Sequence, residues 1–188
     1  INYIRQDIAP LLTSTANGVA RVSEIVKSLK TFAREDSTEK CLTDINEGLK
    51  ATITMAHNEI KYHCELHTQF APLPLTNVYP GKLNQVFMNL IINAGQSITG
   101  KGDIWIRTLV EPPYIIVQVE DSGCGIEPDK IKNIFTPFYT SKPLGQGTGL
   151  GLSISHSIVE KHAGKIEVES TVGKGTCFSV YIPLNSSE

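Results

Sequence analysis

The chain has 188 residues, of which 40% are hydrophobic, so it has room for one substantial core and an appendage. Its formal net charge is −2, so the chain lacks the excess of basic residues that is typical of nucleic-acid-binding proteins. We therefore expect no nucleic-acid partner. No stretch approaches ~20 consecutive apolar residues, and the first residues lack the pattern of a signal peptide. We therefore expect a cytoplasmic location, with any membrane attachment supplied by segments outside this sequence.

Residues 7–34 are predicted to form one long helix. Its small and apolar residues are spaced alternately three and four apart, at Val19, Val22, Val26, Leu29 and Ala33. Since the rest of this helix is polar, the narrow stripe must pack against another helix, through dimerisation or through a partner helix that the sequence lacks. The alternative is packing against the globular domain of the same chain. A polar stretch over 35–40 places the domain boundary near residue 38.

The globular domain is predicted to begin with a strand, a helix and a second strand. A short strand covers 41–43, and Asp44 followed by Glu47 resembles a capping box at the start of the helix. Over 61–70, apolar or small residues then alternate with polar ones, which predicts a half-buried strand.

Histidine and cysteine are present, but we do not interpret them as a metal site. His63 and His67 share the polar face of the second strand with Glu65, yet their imidazoles are ~13 Å apart along it. We therefore interpret both histidines as solvated. The cysteines are scattered, form no C-x-x-C pair and are expected to be reduced: Cys41, Cys64, Cys124 and Cys177. We interpret Cys124, in a glycine loop, as a small semi-buried residue rather than a reactive thiol.

A helix over 82–98 follows a connection rich in proline. Its apolar residues form one stripe, at Leu83, Val86, Phe87, Leu90, Ile91, Ala94 and Ile98. Asn89 and Asn93, four residues apart, project from one face beside this stripe. They are either satisfied core amides or ligands of a bound molecule, and the glycine clusters described next favour the second interpretation.

Two glycine clusters lie between residues 121 and 151. The first, Asp121-Ser-Gly-Cys-Gly-Ile126, follows a β-rich run, so the Asp121 carboxylate is expected at a strand end, where it needs a donor. The second, Gly145-Gln-Gly-Thr-Gly-Leu-Gly151, precedes a helix over 152–162, whose first N–H groups can hold phosphate. Either cluster alone fits glycines that serve turns, but both together with the Asn pair predict a nucleotide site. The sequence contains no P-loop, dinucleotide-binding or protein-kinase motif.

The remaining β-rich segments complete a sheet. Segments 102–110 and 114–121 are separated by two prolines and are expected in the same sheet, while segments 165–171 and 176–183 are expected to pair. Helices therefore interleave with a mixed, largely antiparallel sheet. This order predicts a two-layer α/β sandwich rather than a doubly wound parallel fold.

The motifs, in this order, resemble those of the ATP-binding domain of sensor histidine kinases, members of the GHKL ATPase superfamily with the Bergerat fold. Residues 85–94, Gln-Val-Phe-Met-Asn-Leu-Ile-Ile-Asn-Ala, resemble the N box, and residues 121–125 resemble the first glycine box. Phe135-Thr-Pro-Phe138 resembles the F box, and Gly147-Thr-Gly-Leu-Gly151 resembles the second glycine box. The Phe-Tyr-Thr-Ser-Lys-Pro segment, with Asn-Ala-Gly-Gln-Ser, is similar to the nitrogen-regulator-like branch of the family.

The resemblance implies chemistry at the two asparagines. Asn93 would coordinate the Mg²⁺ that bridges the triphosphate of ATP. Asn89 occupies the position where the ATPase relatives carry a general-base carboxylate. Because an amide cannot act as that base, the departure favours phosphoryl transfer to a protein over rapid hydrolysis.

The resemblance also implies the groups that hold ATP. Asp121 would accept a hydrogen bond from the exocyclic amine of adenine, with Gly123, Gly125 and Thr176 around the base. A mobile lid and the helix after it would hold the phosphates through Lys142, Gly147, Thr148, Gly149, Leu150 and Gly151.

The long helix resembles the second helix of the dimerisation and phosphoacceptor hairpin, which implies domains over 1–37 and 38–188. None of the five histidines is followed by the acidic residue and downstream proline of the phosphoacceptor motif, so the acceptor is expected upstream. The resemblance thus implies a homodimeric kinase that transfers the γ-phosphoryl of Mg-ATP to a histidine and then to a response-regulator aspartate. The alternatives are a GHKL ATPase that drives a conformational cycle and a degenerate module that dimerises without nucleotide.

Overall fold

The structure is a computed structural model that describes Thr15 and the ranges 39–142 and 147–184. Apart from Thr15, which is helical, the predicted helix over 7–34 lies outside the described residues, as do the domain boundary near residue 38 and Gly145 of the second glycine cluster. Within the described ranges, no helix is both long and apolar enough to cross a membrane.

The described ranges contain seven strands and four helices. In chain order they are β1 (Cys41–Thr43), α1 (Ile45–Ile60), β2 (Cys64–Phe70), β3 (Thr76–Val78), α2 (Pro80–Ser97), β4 (Gly102–Glu111), β5 (Tyr114–Asp121), α3 (Pro128–Ile131), α4 (Gly151–Lys161), β6 (Lys165–Thr171) and β7 (Gly175–Pro183). The long elements agree with the predicted ones. β3 and α3, with three and four residues, are too short to give a periodic pattern.

Five of the strands form the main sheet, in the order β2-β4-β5-β7-β6. β2 pairs with β4 in parallel, and the other three pairs are antiparallel. β1 and β3 form a separate antiparallel pair. Helix α2 packs against α1, α4 and the sheet, so the helices form a second layer. The predicted mixed, largely antiparallel sheet in a two-layer α/β sandwich is confirmed.

The core lies between the helices and one face of the sheet. Alternate residues of β4 and β5 point into it, and the apolar stripe of α2 covers them. The fully buried side chains in these three elements include Leu83, Phe87, Leu90, Ile91, Ile104, Ile106 and Ile115. Burial of each such side chain contributes about 1.5–3 kcal/mol, which fixes α2 on the sheet.

The start of α1 is only partly as predicted. The Asp44 carboxylate caps the helix by accepting a hydrogen bond from the backbone N of Asn46 at 2.9 Å. The capping box is wrong for Glu47, whose carboxylate accepts a hydrogen bond from Lys50 at 2.9 Å instead. The predicted strand over 61–70 begins only at Cys64. Tyr62, expected on its apolar face, lies in the preceding turn with 81% of its surface exposed.

His162 connects α4, which follows the second glycine cluster, to α2, which carries Asn89 and Asn93. Its Nδ1 donates to the carbonyl oxygen of Ile158 at 2.8 Å, and its Nε2 accepts from the backbone N of Tyr79, the N-cap of α2, at 3.0 Å. Burial lowers the pKa of His162, which keeps the ring neutral and able to accept this bond. The end of α4 is therefore held at the start of α2.

Gly149 lies at the junction between the second glycine cluster and α4. It has a φ of +67°, and a Cβ there would lie 2.4 Å from the backbone carbon of Phe138. The backbone N of Phe138 donates to the Gly149 carbonyl oxygen at 2.9 Å. The segment that resembles the F box therefore packs directly on the second glycine cluster. At Gly151, by contrast, a Cβ would make an ordinary contact of 3.6 Å with Asn89. Of these two glycines, the packing requires Gly149.

We predict that Gly149→Ala lowers the free energy of unfolding by more than the ~1–2 kcal/mol that the left-handed conformation alone costs an L-residue. The excess arises because the Cβ overlaps the Phe138 backbone. Gly151→Ala is the matched control, and we expect its stability to be equal to that of the wild type or up to ~1 kcal/mol higher, because alanine favours a helix. Urea unfolding measures both variants. Equal stabilities would contradict the packing described for Gly149.

Candidate functional site

Asp121 is the last residue of β5, and only 4% of its surface is exposed. Its Oδ1 accepts hydrogen bonds from the Ser97 hydroxyl and from the backbone N of Gly123, both at 2.8 Å. Burial raises the pKa of Asp121, while the hydrogen bonds from Ser97, Gly123 and the backbone of Thr176 oppose this rise. The protein therefore supplies the donors that a buried carboxylate needs, and orients an acceptor group at the end of the sheet.

Thr176 lies directly opposite Asp121 in the antiparallel pair of β5 and β7. It is buried, and its hydroxyl lies 2.9 Å from the Ser170 hydroxyl of β6. The Ser170 hydroxyl also accepts a hydrogen bond from the backbone N of Ile126 at 2.8 Å. These bonds connect the first glycine cluster to the strands beside Asp121.

The glycines of the first cluster are in close contact with neighbouring protein groups. A Cβ on Gly123 would lie 2.0 Å from the Ser97 hydroxyl oxygen. Gly125 has a φ of +71°, and a Cβ there would lie 2.2 Å from the Thr171 carbonyl oxygen. Cys124 between them is exposed, so its interpretation as a semi-buried residue is wrong. The loop turns tightly over the end of α2 and leaves this thiol in solvent.

Asn89 joins α2 to the start of α4. Its Nδ2 donates to the carbonyl oxygen of Gly151 at 3.0 Å and to the Ser155 hydroxyl at 3.2 Å, which uses both amide hydrogens. These are the hydrogen bonds of a satisfied structural amide, the alternative that the sequence left open. The bonds fix the first turn of α4 beside the middle of α2.

Asn93 faces the segment that precedes the second glycine cluster. Its Oδ1 lies 3.4 Å from Nζ of Lys142, which also donates to Oε1 of Gln96. Burial lowers the pKa of Lys142. The oxygen of Asn93 thus already contacts a cation, and an amide oxygen is also a suitable ligand for Mg²⁺. The residue fits the metal role that the resemblance implies.

The start of α4 presents backbone N–H groups. Its N-cap, Leu150, makes no side-chain capping hydrogen bond, and Ile154 donates the first intrahelical bond, to the Leu150 carbonyl oxygen at 3.0 Å. The N–H groups before Ile154 therefore have no partner within the helix. Thr148 is half-buried beside them, and its hydroxyl lies 3.4 Å from the Leu150 N. This is the local geometry at which proteins bind anions.

The predicted residues thus lie along one side of α2, from Asp121 and Thr176 at its end to Gly151 near its middle. Two residues with polar contacts there, Ser97 and Gln96, were not predicted. Ser97 continues the four-residue spacing of Asn89 and Asn93, and this signal is visible in the sequence. Gln96 has no such signal, because its partner Lys142 comes from a distant segment.

Comparisons with known proteins identify the family. A family model described as histidine kinase-, DNA gyrase B-, and HSP90-like ATPase matches residues 79–186, more than half of the chain. The sensor histidine kinase ZraS of Escherichia coli is 33% identical over 168 residues, which cover 88% of this chain and 36% of ZraS. The Escherichia coli signal transduction histidine-protein kinase AtoS is 31% identical over 170 residues, covering 87% of this chain and 27% of AtoS.

Solved structures give the same result. The catalytic domain of histidine kinase ThkA superposes with a TM-score of 0.71 at 30% identity, over 78% of this chain and 97% of that domain. The chain spans about a third of the length of ZraS and nearly the whole ThkA catalytic domain. It therefore belongs to the histidine kinase-, DNA gyrase B- and HSP90-like ATPases, and its globular part is the ATP-binding catalytic domain of a sensor histidine kinase.

Proposed function

We propose that this domain binds Mg-ATP along α2 and transfers the γ-phosphoryl group to a histidine on a dimerisation hairpin. The observation that carries the proposal is the order of polar groups along the helix. Ser97 contacts the buried Asp121 at one end, Asn93 contacts Lys142 one turn earlier, and Asn89 holds the start of α4 one turn before that. Eight residues of α-helix span ~12 Å, so the base and phosphate ends of a nucleotide would meet different groups.

Adenine would bind at the end of α2. The ionised Asp121 carboxylate is an acceptor only, and the exocyclic amine of adenine is a donor. Ser97 and Gly123 hold one carboxylate oxygen, which fixes the plane of the group before a ligand arrives. Gly125 and Thr176 lie on the adjoining loop and strand, and we assign them to the walls around the base.

The phosphates would bind at the start of α4. The free N–H groups there favour negative charge, and we assign Gly147, Thr148, Gly149, Leu150 and Gly151 to this part of the site. The hydrogen-bond partners of the Lys142 ammonium in the described ranges, Asn93 and Gln96, are both neutral amides. A partly buried cation without an acidic partner is stabilised by an approaching anion, as a triphosphate would be.

Asn93 is the residue that would hold Mg²⁺. When bound, Mg²⁺ neutralises charge on the triphosphate oxygens and so supports phosphoryl transfer. Asn93 presents an uncharged oxygen on a rigid helix, and this orients the ligand without adding a negative charge next to the phosphates. Asn93 is half-buried, and its amide oxygen faces the Lys142 ammonium.

Asn89 favours transfer over hydrolysis. Its two amide hydrogens are held by Gly151 and Ser155, and an amide oxygen is too weak a base to take a proton from water. Transfer to a histidine needs mainly positioning and charge neutralisation, which this site can supply. We assign Asn89 a positioning role, since it sets the distance between α2 and the phosphate-binding helix.

The proposed interaction partners are based on the kinases to which the chain is similar. We propose that residues 1–37 are the second helix of a dimerisation hairpin, that 38–188 form the catalytic domain, and that a response-regulator aspartate is the final acceptor. A cytoplasmic location agrees with ATP as substrate and with scattered cysteines. ZraS and AtoS support this proposal because both are named as histidine kinases and their matches cover most of the chain.

We predict that Asp121→Asn weakens ATP binding by about 1–3 kcal/mol, because an amide can present a donor where adenine also presents one. Calorimetric titration with a non-hydrolysable ATP analogue measures the loss. Glu120→Gln is the matched control, since it removes the same charge from the adjacent residue, whose side chain is paired with Arg107. Unchanged affinity in a folded Asp121→Asn variant would remove this residue from the base site.

Asn93→Ala is predicted to weaken binding of Mg-ATP much more than binding of metal-free ATP, because the lost oxygen acts through the cation. The ratio of the two dissociation constants is the measurement. The wild type should bind ATP more tightly with Mg²⁺, and in the variant this ratio should approach one. Asn58→Ala, an exposed asparagine of α1, is the control for surface effects. A ratio equal to that of the wild type would exclude the metal role.

The proposed reaction predicts that nucleotide binding and phosphorylation separate. This chain should bind Mg-ATP without acquiring acid-labile phosphate, whereas an added hairpin that carries the phosphoacceptor histidine of the parent kinase should become labelled from γ-labelled ATP. Labelling should be incomplete, because the covalent connection that raises local concentration is missing. Phosphohistidine mapped to any of the five histidines of this chain would refute the assignment: His57, His63, His67, His156 and His162.

A further inference from the structure

A cluster of metal-ligating side chains lies at the start of β2 and β4, on the solvent side of the sheet. Glu65 is directly beside Asp103 in the parallel register, and His67 is two residues further along β2. One ligand atom from each of these three side chains lies within 4.8 Å of the other two. The sequence interpretation considered His63, Glu65 and His67 along one strand, and so did not include the Asp103 carboxylate from the neighbouring strand.

The imidazole of His67 is held in a defined orientation. Its Nε2 donates to Oδ1 of Asp103 at 2.8 Å, and its ring stacks on Trp105 with 5.6 Å between ring centroids and 19° between planes. The backbone of Asp103 is fixed by two bonds with Ser122, one from Asp103 N to the Ser122 hydroxyl at 2.8 Å and one from Ser122 N to the Asp103 carbonyl oxygen at 3.0 Å. His67 and Asp103 therefore lie on paired strands with a rigid backbone, so metal binding would cost little backbone conformational entropy.

We propose that Glu65, His67 and Asp103 form a binding site for a divalent transition metal, for which Zn²⁺ is the best match. One imidazole and two carboxylates are ligands that Zn²⁺ takes at about 2.0–2.2 Å, so two ligand atoms of a tetrahedral site are roughly 3.4 Å apart. The present separations, from 2.8 Å up to 4.8 Å, are within about 1.5 Å of that value. The His67 and Asp103 side chains are 41% and 40% exposed, so there is space beside them for adjustments of this size.

Metal binding requires one change in the pair that now exists. The proton on Nε2 of His67 must move to Nδ1, so that the Nε2 lone pair and the Asp103 carboxylate both face the ion. A cavity of about 350 Å³ adjoins the two carboxylates and gives room for water as a further ligand. Lys61 and Lys101 also line this cavity, and their charges compete with a bound cation. We therefore expect moderate, micromolar affinity.

The site is separate from the nucleotide site. Successive side chains of a strand point to opposite faces, so Asp103 lies on the face opposite Ile104. Ile104 is a core residue and pairs with Asp121 of β5. The metal would thus join the edge strand β2 to β4 on the far side of the sheet from the proposed ATP site, and would stabilise that edge without touching the nucleotide.

Calorimetric titration with Zn²⁺ alone tests the proposal, in a Cys41→Ser/Cys124→Ser background that removes the exposed thiols. We expect one Zn²⁺ per chain, at least tenfold weaker binding after His67→Gln or Asp103→Asn, and no change after His57→Gln, which alters an exposed histidine of α1.

Saturating Zn²⁺ should raise the thermal midpoint of the background protein but not that of the His67→Gln variant. Co²⁺ should shift or broaden the His67 ring signals in an NMR spectrum before those of the other histidines.

The proposal is overturned if the background protein binds no Zn²⁺ in the micromolar range, or if His67→Gln binds it as tightly as the background does. Affinity for the ATP analogue, measured in parallel, should be equal in all these variants. Because that readout concerns the opposite face of the sheet, loss of Zn²⁺ binding with intact nucleotide binding supports the metal site alone. Failure of the ATP proposal would leave the zinc result unaffected.

Discussion

The hydrogen bond from the Ser97 hydroxyl to the buried Asp121 carboxylate joins the last turn of α2 to the end of β5. Hydrophobic burial holds α2 on the sheet, but apolar contacts are not directional and tolerate small rotations of a helix about its axis. A charge-assisted hydrogen bond of 2.8 Å does not tolerate them. It therefore sets which edge of α2 faces away from the core, and with it the positions of Asn93 and Asn89.

A second set of hydrogen bonds, on the same side of α2, determines where α4 begins. The amide of Asn89 donates to Gly151 and Ser155, and His162 fixes the other end of α4 to the start of α2. With both ends held, the first turn of α4 can leave its N–H groups without a side-chain cap, as observed at Leu150. An uncapped helix start in a mobile setting would be filled by a side chain or fray. Here the tertiary contacts keep it open and aligned with α2.

Much of this arrangement could be predicted from the sequence because its signals are local. The apolar stripe of α2 and the strand end at Asp121 follow from periodicity, and both are observed. The missed features depend on contacts between distant segments. Gln96 meets Lys142 across 46 residues, and the cluster of Glu65, His67 and Asp103 needs the parallel register of β2 with β4. Spacing along one strand carries no information on its neighbour.

In the proposed site, Lys142 and Mg²⁺ would compete for the same oxygen atom. Its ammonium group contacts the Asn93 oxygen, the same atom that we assign to Mg²⁺. Two cations cannot share one amide oxygen at short range without strong repulsion in a partly buried place. Lys142 would therefore leave Asn93 when Mg-ATP arrives, and the nearest compensating charge would be a phosphate oxygen. The exchange would thus pair the Lys142 ammonium with the triphosphate and leave the Asn93 oxygen to the metal.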